Sequence, residues 1–330
     1  MTAFLAQHTK ILSKIFCILI GLVGLFPQAC FGASIVGPGT GHDEPWFTGP
    51  LLSPSARVIP VGHFNLEPYL FHNVTIGAYD NKWKSHPVPT FNQVVFQCHS
   101  KTGIYKNFDF TIVPQSFYSY SQGSHAASFG DLPIAIGYQL YEGKPDDYLT
   151  YAKFSITEIF PTGNYDQFDE DLAITEASGQ GSYLTNLNLT ISKLVKLKHN
   201  KYFSWRCNLT ISIPSPASIR GQSIYGGGKG TRGTIYPKTG LLFFAGAEYT
   251  LTKKIVLACD FQALYFPKGR FKGVTIIPVI DPETIQFGLA PAIEYNFNSS
   301  MGIIAGVWFS FAGKNANRFI NGVAAFNYSF

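Results

Sequence analysis

The residues from Tyr202 to Ile213 alternate without a break. Phe203, Trp205, Cys207, Leu209, Ile211 and Ile213 fall on one side, and Ser204, Arg206, Asn208, Thr210 and Ser212 on the other. A helix would scatter these two sets, whereas a strand, whose successive side chains point to opposite faces, sorts them. Thr284 to Phe297 repeats the pattern: Ile285, Phe287, Leu289, Pro291, Ile293, Tyr295 and Phe297 lie opposite Gln286, Gly288, Ala290, Ala292, Glu294 and Asn296. Pro291 lacks an N–H and is expected to mark a bulge. The last twelve residues do the same, with Ile320, Gly322, Ala324, Phe326, Tyr328 and the terminal Phe330 sharing one face.

The same test marks Gly62 to His72, Phe91 to Ser100, Phe108 to Tyr120, Asp131 to Tyr141, Thr150 to Phe160 and Tyr183 to Val195 as strands, the first three less cleanly. Gly240 to Thr252, Ile255 to Phe266, Gly302 to Ala312 and Phe319 to Phe330 complete a set of about twelve, each near the length of a tilted membrane strand. Hydrocarbon offers backbone groups no partner, so a sheet persists there only when closed on itself. The expected fold is therefore all-β, a transmembrane antiparallel barrel of about twelve strands. An even count puts both termini at the periplasmic side. Connections support the count: the odd-numbered ones span roughly 18, 10, 22, 26, 17 and 6 residues and the even-numbered ones roughly 7, 8, 6, 2 and 4, the long and short alternation of outer-membrane barrels.

At the amino end, Lys10 and Lys14 precede an apolar run, Ile15 to Phe26, that is too short for a comfortable membrane helix. Small residues follow in Ala29-Cys30-Phe31-Gly32-Ala33. Residues 1–33 are thus expected to be a cleaved signal peptide, cut after Gly32, with Ala29 and Ala33 as alternatives; Pro27-Gln28-Ala29 is a poor approach to a lipidated Cys30. Without the signal the formal charge falls from +5 to about +3, too little to argue for nucleic acid. Charged residues make up 14% of the chain and aromatic residues 15%, a balance that suits a wall with lipid on one side.

Residues 34–61 are rich in Gly and Pro and too broken for a strand. Within them Trp46 and Phe47 form a candidate lumen plug, since exposed aromatic groups on a free tail would be costly; a periplasmic tail is the alternative. Residues 62–330 form the barrel. Inward parity falls on Lys153, Arg206, Asn208, Glu248, Asp260, Gln262 and Glu294, so a wet lumen with these side chains along a permeation path is expected. Arg206 could pair with Glu248 as a charged constriction, or merely as an ion pair filling a narrow interior.

Other features carry less. Cys98, Cys207 and Cys259 sit on the apolar parity of their strands and read as lipid-facing small residues, without metal-ligand spacing. Gly123-Ser124-His125 is the nearest approach to a catalytic pair and falls in an expected loop. Asp166, Asp169, Glu170 and Asp171 read as a solvated acidic loop, lacking the spacing of a calcium loop. Gly226 to Gly233 reads as a mobile external loop whose Lys229 and Arg232 could attract lipopolysaccharide phosphates. No cofactor or metal is expected.

Gly130-Asp131-Leu132 opens a strand, Gly137-Tyr138-Gln139-Leu140 lies within it, and Ile159-Phe160-Pro161-Thr162-Gly163 ends the next. From Gly130 to Phe330 the chain resembles the MetA-pathway phenol-degradation group of outer-membrane barrels. The resemblance implies a channel or transporter for small, often hydrophobic or aromatic compounds, and it carries over no binding residue. The expectation is a monomer in the outer membrane, with lipid and lipopolysaccharide around it, a small-molecule permeant within it, and Phe330 as the handle for the barrel-assembly machinery. A non-conducting surface or adhesin-like barrel is the alternative, and a lipid-acting enzyme the third reading.

Overall fold

A computed structural model describes residues 47–144, 147, 149–172 and 174–330; the expected signal peptide and Trp46 lie outside them. The strands in order are β1 (Phe64–Tyr79), β2 (Ser85–His86), β3 (Phe91–Tyr105), β4 (Phe108–Ile112), β5 (Gln115–Ser121), β6 (Ser124–Phe129), β7 (Leu132–Glu142), β8 (Tyr151–Phe160) and β9 (Leu184–Lys196). They continue with β10 (Tyr202–Pro214), β11 (Ala217–Ser223), β12 (Gly226–Tyr236), β13 (Gly240–Thr250), β14 (Ile255–Phe266), β15 (Arg270–Val274), β16 (Thr284–Asn296), β17 (Met301–Lys314) and β18 (Ala316–Ser329). Val113-Pro114 separates β4 from β5, and Gly130-Asp131 separates β6 from β7. Counting each pair as one wall strand, and leaving out the two-residue β2 and the separately paired β11, β12 and β15, gives a closed antiparallel barrel of twelve.

Closure is made at β1, which pairs with β3 on one side and with β18 on the other. The seam is finished by the chain end: the Phe64 N–H donates to the Phe330 carbonyl at 2.7 Å, the Phe330 N–H returns the bond at 2.9 Å, and the two rings lie 5.3 Å apart. No edge is left in the wall, which is what a sheet in hydrocarbon requires.

The alternation sorts as a membrane wall demands. On β10 the polar set, Ser204 to Ser212, is buried inside, while Leu209, Ile211 and Ile213 are exposed outside. Leu241, Leu257, Ile293, Val307, Phe311 and Ile320 continue the exposed apolar belt around neighbouring strands. No helix among the described residues is long and apolar enough to cross a membrane; the crossing is made by strands. Cys98, Cys207 and Cys259 are unpaired and half-buried or exposed.

Several expectations change. The ten-residue third connection is a tight hairpin: β6 pairs with β5 around Gln122-Gly123, with both residues at positive φ (51° and 87°). The eleventh connection shrinks to Asn315. Gly226 to Gly233 is not a mobile loop: it belongs to β12, centre of a separate sheet ordered β11-β12-β15. Pro291 marks no bulge. The register of β16 against β17 shifts between Phe287 and Gly288, and at Ala290 and Pro291 the ladder skips without a shift, because a missing donor removes a bond without inserting a residue.

Candidate functional site

The interior is occupied by residues 47–59, and the exposed residues 60–63 lead from it to β1. At the end with short turns, Phe47 packs on Tyr202 and Val256, and the Thr48 N–H donates to Glu294 Oε2 at 2.8 Å. The Thr48 hydroxyl reaches Asn296 Oδ1 at 2.8 Å. The chain then climbs to mid-barrel, where Asp260 receives the Leu52 N–H (3.1 Å), the Ser53 N–H (3.0 Å) and the Ser53 hydroxyl (2.5 Å). It returns along β7: Gln139 accepts the Val58 N–H at 2.8 Å and donates to the Ala56 carbonyl at 2.9 Å. Arg57, near the rim, lies 3.6 Å from Glu142 and 5.2 Å from the Tyr151 ring centre. The segment is an inserted hairpin, entering and leaving at the turn end.

Glycine admits it. A β-carbon at Gly246 would meet Pro50 and the Ser53 hydroxyl at 2.7 and 2.8 Å, closer than real contacts allow. At the tip, Leu51 and Leu52 are fully buried among Tyr69, Phe71, Phe117, Phe244 and Trp308, all projecting inward. The lumen is therefore not uniformly wet, as parity alone suggested: β1, β5, β13 and β16–β18 contribute an apolar core, because the segment supplies leucines for them to bury.

All seven inward residues singled out by parity are buried. Arg206 holds Glu248 at 2.8 Å, Lys153 lies 3.4 Å from Asp109, and Lys101 lies 3.7 Å from Glu67. Glu67 also receives the Asn327 amide. Glu248 adjoins Glu294. Of the carboxylates Glu67, Asp109, Glu248, Asp260 and Glu294, the first three have a cation each, while Asp260 and Glu294 make no ion pair among the described residues and take N–H groups from the inserted segment. A buried carboxylate without a cation needs such donors, so the segment completes the electrostatics of the wall. Gln262 accepts the Trp308 indole N–H at 3.2 Å. Asn208 donates to Thr190 at 2.9 Å, and Thr210 donates to Asn188 at 2.6 Å.

Sequence parity missed Glu67, His99, Lys101, Asp109 and Gln139. Lys101 lay one residue past an expected strand end, and a glycine at 137 was the sign of Asp109, whose carboxylate fills the space a β-carbon would take.

Above the segment's tip lies a cavity of about 50 Å³, room for a few waters at ~10–15 Å³ each. Leu52 and Pro54 form its floor. Asn186, Asn188, Asn208 and Thr210 line one side, and Leu242, Phe244 and Phe266 continue it as an apolar wall. At its top, Asp131 accepts the Gly163 and Gln180 N–H groups at 2.9 Å each, and Thr162 donates to the Gly130 carbonyl at 2.7 Å. The Gly-Asp and Pro-Thr-Gly motifs are thus two halves of one clamp at the base of the fifth connection.

Three long connections fold together over this end. Phe168, Ile174, Ile219, Ile224, Tyr225 and Ile235 make a core of their own, with β11, β12 and β15 as its sheet. Asp281 beneath it borders a second cavity with Lys238 and Tyr225, and burial raises its pKa to about 7. Ser124 donates to the Asp171 carbonyl at 2.9 Å and the His125 ring lies 6.2 Å from Tyr118, so these two residues are engaged separately. Asp166 accepts the Arg220 N–H and Asp169 accepts the Asp171 N–H, as turn-forming groups do. No group of three or more possible metal ligands occurs among the described residues.

A seamless wall, an apolar exterior and a polar, filled interior define a transmembrane antiparallel barrel of the outer-membrane type. No family model and no curated protein matches the chain. Among solved structures it is similar to an outer membrane channel from Pseudomonas putida F1, with TM-score 0.63 and 13% identity over 84% of this chain and 98% of that one. The transport unit of the autotransporter AIDA-I from Escherichia coli follows at TM-score 0.45 and 11% identity, covering 82% of this chain and 91% of that one. The likeness to the Pseudomonas channel concerns the fold.

Proposed function

We propose that the protein is an outer-membrane channel for small solutes, including ones with hydrophobic or aromatic parts, whose passage is governed by residues 47–59. The observation that carries this reading is that Asp260 and Glu294, two inward carboxylates with no ion pair among the described residues, take their N–H donors from the segment. A cavity for a few waters is too small for a solute, so transport requires the hairpin to shift. Behind it lies a path set by Lys153, Arg206, Asn208, Glu248, Asp260, Gln262 and Glu294, and above it a chamber with an amide wall beside an apolar one, suited to neutral molecules with both kinds of surface. The fold of the Pseudomonas channel and the resemblance to the phenol-degradation group support this reading. We assign Trp46 to the plug with Phe47, residues 1–33 to a cleaved signal, and the side chains no catalytic role.

Single-channel recording tests it. The full mature chain should conduct weakly and in brief openings. A variant lacking residues 47–58 should conduct steadily and prefer cations, because Asp260 and Glu294 lose their donors. A folded deletion variant as tight as the full chain would contradict the reading and favour a non-conducting surface barrel, the alternative suggested by the structured cap.

A further inference from the structure

The outer face of the cap sheet is cationic and unpaired. On β11, β12 and β15 the side chains that point away from the Ile219 and Ile235 core include Arg220, Arg232, Lys272 and Arg270, all exposed. Register brings them together: Arg220 stands directly opposite Arg232, Lys272 is opposite Thr234 two residues along, and Arg270 is opposite Tyr236. Among the described residues none of the four makes an ion pair. The Lys272 ammonium instead lies 5.3 Å from the Tyr236 ring centre. Asp166, at the sheet's margin, is engaged by the Arg220 backbone N–H at 2.9 Å.

Like charges directly across a strand pair destabilise a sheet, so two facing arginines that make no ion pair among the described residues call for an external anion. Guanidinium forks match phosphate oxygens in pairs. The same row continues into Val274, opposite Arg232 and 72% exposed, and then to Ile276, 88% exposed. Cations bordered by bare aliphatic groups fit an amphiphile better than a free ion. The cap stands at the end with long connections, which in outer-membrane barrels faces outside.

We infer that this face binds the phosphate groups of lipopolysaccharide in the outer leaflet, with Arg220, Arg232 and Lys272 as phosphate ligands and Val274 and Ile276 against the lipid. The contact is independent of whether the lumen conducts.

The test uses the full mature chain in neutral detergent, titrated with bisphosphorylated lipid A, with the same lipid stripped of phosphate, and with inorganic pyrophosphate. Lipid A should bind, and more weakly as salt rises. Dephosphorylated lipid A and pyrophosphate should each bind more weakly by about tenfold or more, as loss of charge-assisted contacts implies. The Arg220→Ala, Arg232→Ala, Lys272→Ala triple variant should lose lipid A to the same degree. Thr234→Glu, which places a carboxylate amid the cations without removing any side chain of the core, should also weaken it, and Lys193→Ala at the turn end should not. Lipid A binding unchanged in both the triple variant and Thr234→Glu would overturn the inference. Equal binding of dephosphorylated lipid would do the same, and equal binding of pyrophosphate would overturn the assignment to a lipid.

Discussion

The barrel is closed at both ends by different means. At the loop end three connections build a small domain with a sheet and an apolar core of its own, in which Ile219 and Ile235 are fully buried. At the turn end one hairpin without internal ladder is held by borrowed partners: Asp260, Glu294 and Gln139 on the wall, and the inward aromatic groups around Leu51 and Leu52. The first closure carries its stability with it. The second has no ladder of its own and is held by its contacts with the wall, so under the proposed function it is the closure that moves, and its departure would uncover the carboxylates of Asp260 and Glu294.

The largest effect expected follows from attacking that dependence. Replacing both Leu51→Asp and Leu52→Asp puts two charges into an apolar site where each leucine gained about 1.5–3 kcal/mol by burial. Single-channel conductance should then approach that of the deletion variant while the barrel stays heat-resistant on gels. Next in size is Arg206→Ala, which leaves Glu248 buried without its cation at a cost of about 3–5 kcal/mol and moves the reversal potential toward cations. An unchanged reversal potential would leave Arg206 a structural role alone. The smallest effect belongs to the other end. Asp281 has a folded pKa raised by burial to about 7, so between the ordinary carboxylate range and that value the folded cap holds a proton the unfolded chain has lost. Cap stability should fall as pH rises through this window. Proteolytic nicking of residues 215–239 should accelerate from pH 5 to pH 8, and Asp281→Asn should flatten the trend.

The same contrast explains what could be read in the sequence. The wall was legible because its two faces meet different solvents, so β10 and β16 separate their residues cleanly. β6 was not: Ser124 to Phe129 alternates only between half-exposed and exposed positions, and no periodicity marks a strand whose faces see similar surroundings. β12 was hidden by glycine, which carries no side chain to sort. In the site, Arg206, Glu248, Asp260 and Glu294 were found by parity. β1 and β3 obscured Glu67, His99 and Lys101, because Tyr69 and Phe71 point inward against Leu51 and Leu52 and spoil the polar pattern. The partner that makes an aromatic residue acceptable inside a pore lies far along the chain, and local period says nothing of it.

Thiol labelling tests the central claim most directly, that residues 47–59 fill the barrel from the turn end. In a chain with Cys98, Cys207 and Cys259 replaced by Ser, Val274→Cys and Ser53→Cys are compared in intact cells with a membrane-impermeant maleimide added outside. Val274 is 72% exposed and Ser53 is fully buried. The account predicts rapid labelling at position 274 and protection at position 53, with the protection lost when Leu51→Asp and Leu52→Asp are added. Labelling at position 53 as fast as at position 274 in the otherwise unaltered chain would contradict it.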